Sequence, residues 1–307
     1  MNNTSKHSNG SADHYSESED NSTAETIVII NCVLNAPLML ISIVGNALVL
    51  AAIIRTPSIR STHMIMLCSL AVSDFLVGLV AQPIYIAEHL TKNSIVNNVS
   101  KLTVPSICIV SLMTITAITV DRFLALHYHM RYATLVTESR VKYTLIIIWL
   151  FSLLVSGLDF WSKLEGFPFI VESVVTICLV ICSYSYIRIY RIVRRHHLEI
   201  HAQQQALESS TAKYNLNTAR LKISAMNSFV FYIALIICYL PIYVLSILHG
   251  LSIKDWQTAE WYFAHTAVFM NSSINPILYC WRHRELRVAV LKTARQMLYK
   301  KKLRKTY

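Results

Sequence analysis

Asn271-Ser272-Ser273-Ile274-Asn275-Pro276-Ile277-Leu278-Tyr279 lies inside an apolar run from about Thr258 to Trp281. Two asparagines, two serines and a helix breaker in a stretch long enough to cross a bilayer are costly, because hydrocarbon offers their polar groups no water. Such residues belong in a span when they face neighbouring helices and act there. Six further apolar runs precede this one, at about Ile27–Ile54, Met64–Leu90, Val99–Leu126, Val141–Phe160, Phe169–Ile192 and Ile223–His249. Each is near or above the ~20 residues a spanning helix requires. The chain is 54% hydrophobic and only 15% charged, which places most of it in lipid rather than water. The expected fold is an all-α membrane protein, a seven-transmembrane helix bundle.

Seven crossings put the two termini on opposite sides. Lys6, Lys92, Lys101, Lys163 and Lys254 fall on one side, and the other 23 of the 28 basic residues fall on the opposite side. Positive residues stay in the cytoplasm, so the amino terminus is expected outside a plasma membrane. The same asymmetry explains the net charge of +11 without nucleic acid, since the basic excess faces anionic lipid or a cytosolic partner. Residues 1–25 are polar, lack an apolar signal core and carry sequons at Asn2, Asn3, Asn9 and Asn21, so a glycosylated, disordered tail is expected, with the first span directing insertion. Residues 26–282 form the seven-helix domain. In residues 283–307 apolar positions recur beside a basic face, which predicts a short cytoplasmic amphipathic helix and basic tail. The stretch 194–220 reads as a solvated helical extension with a mobile middle. All seven cysteines fall in or at the ends of apolar runs, so neither an extracellular disulfide nor a zinc site is expected.

Four features carry chemistry. The third run ends in Asp121-Arg122-Phe123, with Ser111 eleven and Val104 eighteen residues before Arg122. At 3.6 residues per turn these are about three and five turns, so one stripe joins a cation at the inner end to an apolar site some 27 Å away. Asp74 sits mid-span with no Lys or Arg in its own run, and a carboxylate there needs a cation, a proton or a set of donors. Asn271 and Asn275 are four residues apart and share a helix face. Pro241 removes a backbone donor from the sixth run, which is expected to kink and let its inner end swing.

The Asp121-Arg122-Phe123 and Asn275-Pro276-Ile277-Leu278-Tyr279 motifs together resemble the rhodopsin-like (class A) family of G-protein-coupled receptors, from about Ile27 to Leu298. That resemblance implies a cell-surface receptor that converts binding of an extracellular ligand into activation of a heterotrimeric G protein, with no enzymatic chemistry and no covalent cofactor. It further implies an allosteric sodium ion at Asp74, Ser111, Asn271, Ser272 and Asn275. The switch positions it implies are Asn46, Asp121, Arg122, Tyr186, Tyr239, Pro241, Pro276 and Tyr279. Arg122 and Met130 are expected to meet the G protein. In the outer half of the bundle it outlines a pocket of Tyr85, Val104, Cys108, Glu172, Tyr243, Ser246, His265 and Phe269. Glu172, the only acid well inside the fifth run, either pairs with a cationic ligand or faces the aqueous loop.

The chain departs from the family in several places, and its style is closest to the melanocortin, adenosine and lipid-receptor branch. Asn97 stands where the outer cysteine is usual, Val104 where amine receptors have aspartate, Tyr239 for the sixth-span tryptophan, Cys178 for the fifth-span proline and His129 for the proline after the third span. Ile84, Asn97 and Lys101 replace the acidic calcium cluster of melanocortin receptors, and Phe269 excludes a retinal Schiff base. Many relatives restrain the arginine with an acid at the inner end of the sixth span; Leu221, Lys222 and Ala225 occupy that region here. Two rival readings are a small-solute transporter, which would show repeat symmetry and paired broken helices, and a non-signalling heptahelical protein, which would have lost the switch residues.

Overall fold

The structure is a computed structural model that describes residues 9–57, 61–91, 93–128, 131–162, 167–206, 211–251, 259–282 and 284–303, with side chains described over 25–57, 61–91, 93–128, 131–158, 170–195, 230–251, 259–282 and 284–297. Every regular element among these residues is helical. The first span is α1 (Asn9–Arg55); the second is α2 (Thr62–Leu76), a π turn (Val77–Ala81) and α3 (Gln82–Thr91). The third is α4 (Ser94–Tyr128), followed by a short inner helix α5 (Tyr132–Leu135). The fourth to seventh are α6 (Glu138–Ser162), α7 (Phe167–Ala206), α8 (Thr211–Gly250) and α9 (Ala259–Arg282), and α10 (Arg284–Leu303) follows.

Among the described residues, six helices are long and apolar enough to cross a membrane. The seventh, α9, is diluted by buried Asn271, Ser272, Ser273 and Asn275, yet it packs between α1 and α8 as part of the same bundle. Its polar residues turn inward, so lipid does not meet them. The outward faces are apolar: Ile146, Ile147, Leu150, Leu153 and Leu154 of α6 and Ile177 and Val180 of α7 are all exposed, as a lipid-facing surface requires.

Residues 9–25 extend the first span. The backbone is helical from Asn9, continuous with the first span, where a disordered tail was expected to residue 25. A span already supplies the nucleus, and residues 9–36 contain no proline, so adding turns costs no further nucleation. Asn2 and Asn3 lie outside the described residues, and at Asn9 and Asn21 only the backbone is described.

Two close helix approaches set the geometry of the interior. A Cβ on Gly45 would lie 2.9 Å from Pro276 Cγ, so glycine lets α1 press against the motif proline of α9. A Cβ on Gly78 would meet the Met39 carbonyl oxygen and Ser42 Cβ at 3.0 Å, so the π turn also packs directly on α1. The core divides into an inner cluster around Leu67, Leu70, Leu112, Leu235 and Tyr279 and an outer one around Val77, Tyr85, Val104, Ile107 and Phe269. On α10, Leu286, Ala289 and Thr293 are buried toward the bundle while Val288 and Leu291 are exposed, the divided face of an interfacial helix.

Candidate functional site

Asp74 is fully buried at the centre of the bundle. Ser111 of α4 and Ser272 of α9 each donate to its Oδ1 at 2.8 Å, and Asn275 donates to Oδ2 at 2.8 Å. Three donors from two other helices therefore satisfy one carboxylate, each charge-assisted bond worth roughly 1.5–3 kcal/mol. Asn46 joins through the backbone, donating to the Ser42 and Ser272 carbonyls at 2.9 and 3.2 Å, and the Ser42 hydroxyl donates to the Asp74 carbonyl at 2.7 Å. Asn271 is buried beside this group, but its Nδ2 has no hydrogen-bond partner. Of the five residues expected around the ion, Ser111, Ser272 and Asn275 are thus bonded directly to Asp74. The carboxylate and two hydroxyl oxygens converge, the donor set that a hard monovalent cation takes.

A second aspartate closes the inner end of α4. Asp121 is buried and accepts from Arg122 Nε at 3.1 Å and Nη2 at 2.6 Å. The Tyr132 hydroxyl of α5 donates to its Oδ1 at 2.5 Å, and His63 Nδ1 of α2 lies 3.6 Å from Oδ2. Burial, with the adjacent Asp121 carboxylate, pushes the Tyr132 phenol up to about 12, so it remains a donor at every physiological pH. Tyr132 and His63 were not singled out in the sequence, where neither forms part of a pattern with Asp121.

Arg122, Tyr186 and Tyr279 line one narrow inner cavity, together with Phe231 and Arg282. The Tyr186 hydroxyl lies 3.3 Å from Thr119 Oγ1, and the Tyr279 ring stacks on Phe231 with centroids 5.8 Å apart. Pro241 and Pro276 both lie within continuous helices, α8 and α9. Met130 lies outside the described residues.

At the outer end, a cavity of about 140 Å³ is lined by seven of the eight residues named from the sequence: Val104, Cys108, Glu172, Tyr243, Ser246, His265 and Phe269. The eighth, Tyr85, stands behind it, its ring 5.5 Å from His265 and 5.2 Å from Phe269. Tyr239 forms part of the wall, and its hydroxyl donates to the Cys108 carbonyl at 3.5 Å. All seven cysteines are free.

The family model described as 7 transmembrane receptor (rhodopsin family) matches residues 45–167. Among curated proteins, the histamine H2 receptor of Canis lupus familiaris is 27% identical over 283 residues, covering 82% of this chain and 76% of that one. Melanocortin receptor 4 of Danio rerio is 26% identical over 274 residues (81% and 78%), and adenosine receptor A2b of Gallus gallus 26% over 314 residues (87% and 89%). The chain belongs to the rhodopsin family of seven-transmembrane receptors. It is a divergent G-protein-coupled cell-surface receptor, a multi-pass protein of the plasma membrane and not an enzyme. The receptor's inner cavity, mid-membrane aspartate and outer cavity fall on one stripe of α4, from Arg122 through Ser111 to Val104.

Proposed function

We propose that this receptor, with its amino terminus outside the cell, takes a compact ligand bearing one cationic end in the outer cavity and holds a sodium ion at Asp74 in its closed arrangement. The observation that carries the ligand reading is Glu172, the one acid in a wall otherwise built from Val104, Tyr243, Phe269 and similar apolar or weakly polar groups. A few placed polar groups in an apolar wall are what orient a small ligand. Size supports the same reading: an apolar cavity of roughly 150 Å³ accepts a benzene-sized molecule. Two of the relatives are named for histamine and adenosine, both compact ring compounds. Val104 leaves α4 without the aspartate of amine receptors, so Glu172 on α7 takes the cationic end from the opposite wall.

A ligand that favours the open state shifts the population toward it, and the opening presents Arg122 and Met130 to the G protein. Sodium, held by Asp74, Ser111 and Ser272, binds the closed packing and opposes that shift. The test is a thermal-shift screen of the purified receptor against compact ring-bearing amines and their uncharged isosteres. Stabilisation by amines that vanishes in Glu172→Gln is the expected result; equal stabilisation by the uncharged isosteres would contradict it.

A further inference from the structure

The sixth span lacks the inner acid with which many relatives restrain Arg122, yet α8 and α9 are joined at their inner ends by a different device. Phe231 of α8 stacks on Tyr279 with an interplanar angle of 18°, and the Arg282 guanidinium sits over the Phe231 ring, 5.4 Å from its centroid. Arg282 and Arg122 line the same cavity. Arg122 has Asp121 as its counter-charge, whereas no carboxylate among the described residues pairs with Arg282. Its neighbour is the face of an aromatic ring on α8, the helix that Pro241 is expected to let swing.

We propose that Arg282 is a second anion-binding group of the inner cavity, latched by Phe231 while the bundle is closed and released to a carboxylate of the cytosolic partner when α8 moves away. The proposal rests on the reading of the chain as G-protein-coupled. Outward motion of the inner end of α8 carries Phe231 off Arg282 and leaves two guanidiniums facing one widened cavity. A planar guanidinium recognises carboxylate in bidentate fashion, and an arginine desolvated beside another arginine favours an anion strongly. The cavity is walled by α2, α4, α7, α8 and α9, so the anion must arrive on a segment that inserts from the cytosol. A lipid headgroup, tethered in the surrounding leaflet, cannot reach the middle of the bundle. The occupant is an acidic peptide segment of the G protein.

The experiment uses the full chain in phosphatidylcholine nanodiscs and peptides copied from the carboxyl-terminal segments of the Gα classes. Each peptide is made with its carboxylates intact and with all of them converted to amides. The wild-type receptor should bind the acid form of at least one peptide about tenfold more tightly than the amide, the size of one charge-assisted bond. Arg282→Ala should erase that preference and leave the amide affinity unchanged, while Arg282→Lys should keep part of it. Phe231→Leu should tighten the acid form about threefold by freeing Arg282. A preference undiminished in Arg282→Ala, or one that appears only when anionic lipid is added, would overturn the proposal. Guanine-nucleotide exchange without any acid preference would do the same and leave coupling intact. Absence of both exchange and peptide binding in the wild type would remove the coupling reading itself.

Discussion

The two buried aspartates of this receptor are satisfied in opposite ways. Asp74 is held by three uncharged donors from helices 37 to 201 residues away in sequence, whereas Asp121 is held by its immediate neighbour Arg122 and by Tyr132 eleven residues on. The first arrangement ties α2, α4 and α9 together and surrounds a buried carboxyl group with neutral groups alone. The second is already charge-balanced by the adjacent Arg122, with Tyr132 of α5 donating to it and His63 of α2 3.6 Å away, so Arg122 can leave it while those helices stay packed. A carboxylate bonded across the bundle is suited to sensing an ion and packing, and one bonded along its own chain is suited to releasing an arginine. That contrast assigns different phenotypes to the same chemical change at the two sites.

The largest effect is expected at the inner site. Asp121→Asn removes the counter-charge of Arg122, a charge-assisted contact worth roughly 1.5–3 kcal/mol, and should raise ligand-free G-protein activation about tenfold or more at matched surface expression. A second-messenger assay in transfected cells reads this directly, and unchanged basal output would show that Asp121 does not restrain Arg122.

At the outer of the two aspartates the expected change is in ion dependence. Sodium at ten times its Kd should stabilise the wild-type receptor by about 1.4 kcal/mol over choline chloride of equal ionic strength, and Asp74→Asn should abolish the difference. Calorimetry or thermal shift in the two salts distinguishes the outcomes. An Asp74→Asn variant that still responds to sodium would remove the ion from this site and collapse the contrast to one of packing alone.

Tyr132→Phe is the smallest perturbation. It deletes one hydrogen bond to Asp121 and leaves the Arg122 pair intact, so about 1 kcal/mol and a roughly fivefold rise in basal signalling are expected. A larger rise than that of Asp121→Asn would place the restraint in α5 rather than in the adjacent pair.

The helices and the two motifs were legible because they are written in local pattern. Apolar runs gave all seven spans, and the four-residue spacing of Asn271 and Asn275 put both on the buried face of α9. Other features depend on which segments meet, and no pattern records that. The π turn at Val77–Ala81 lies where Gly78 packs directly on α1, a contact between distant residues. Tyr132 reaches Asp121 only because the chain turns back after α4, and Phe231 meets Arg282 only because α8 and α9 lie side by side. The motif spacing puts Asn271 on the buried face, but it does not record that its amide nitrogen is left without a hydrogen-bond partner there. The helical start at Asn9 was hidden because polar composition reports solvation and not whether a neighbouring span extends into it.

The central claim is that a stripe on α4 connects an outer ligand cavity to an inner cavity where Arg122 engages a G protein. Its most direct test is guanine-nucleotide exchange on a panel of purified heterotrimers, with the full chain in nanodiscs compared with empty nanodiscs and with Arg122→Ala at equal amounts. The account predicts that at least one heterotrimer exchanges faster with the wild-type chain, without added ligand, and that Arg122→Ala returns the rate to that of empty nanodiscs. Exchange equal in the wild type and Arg122→Ala, for every heterotrimer, would contradict it.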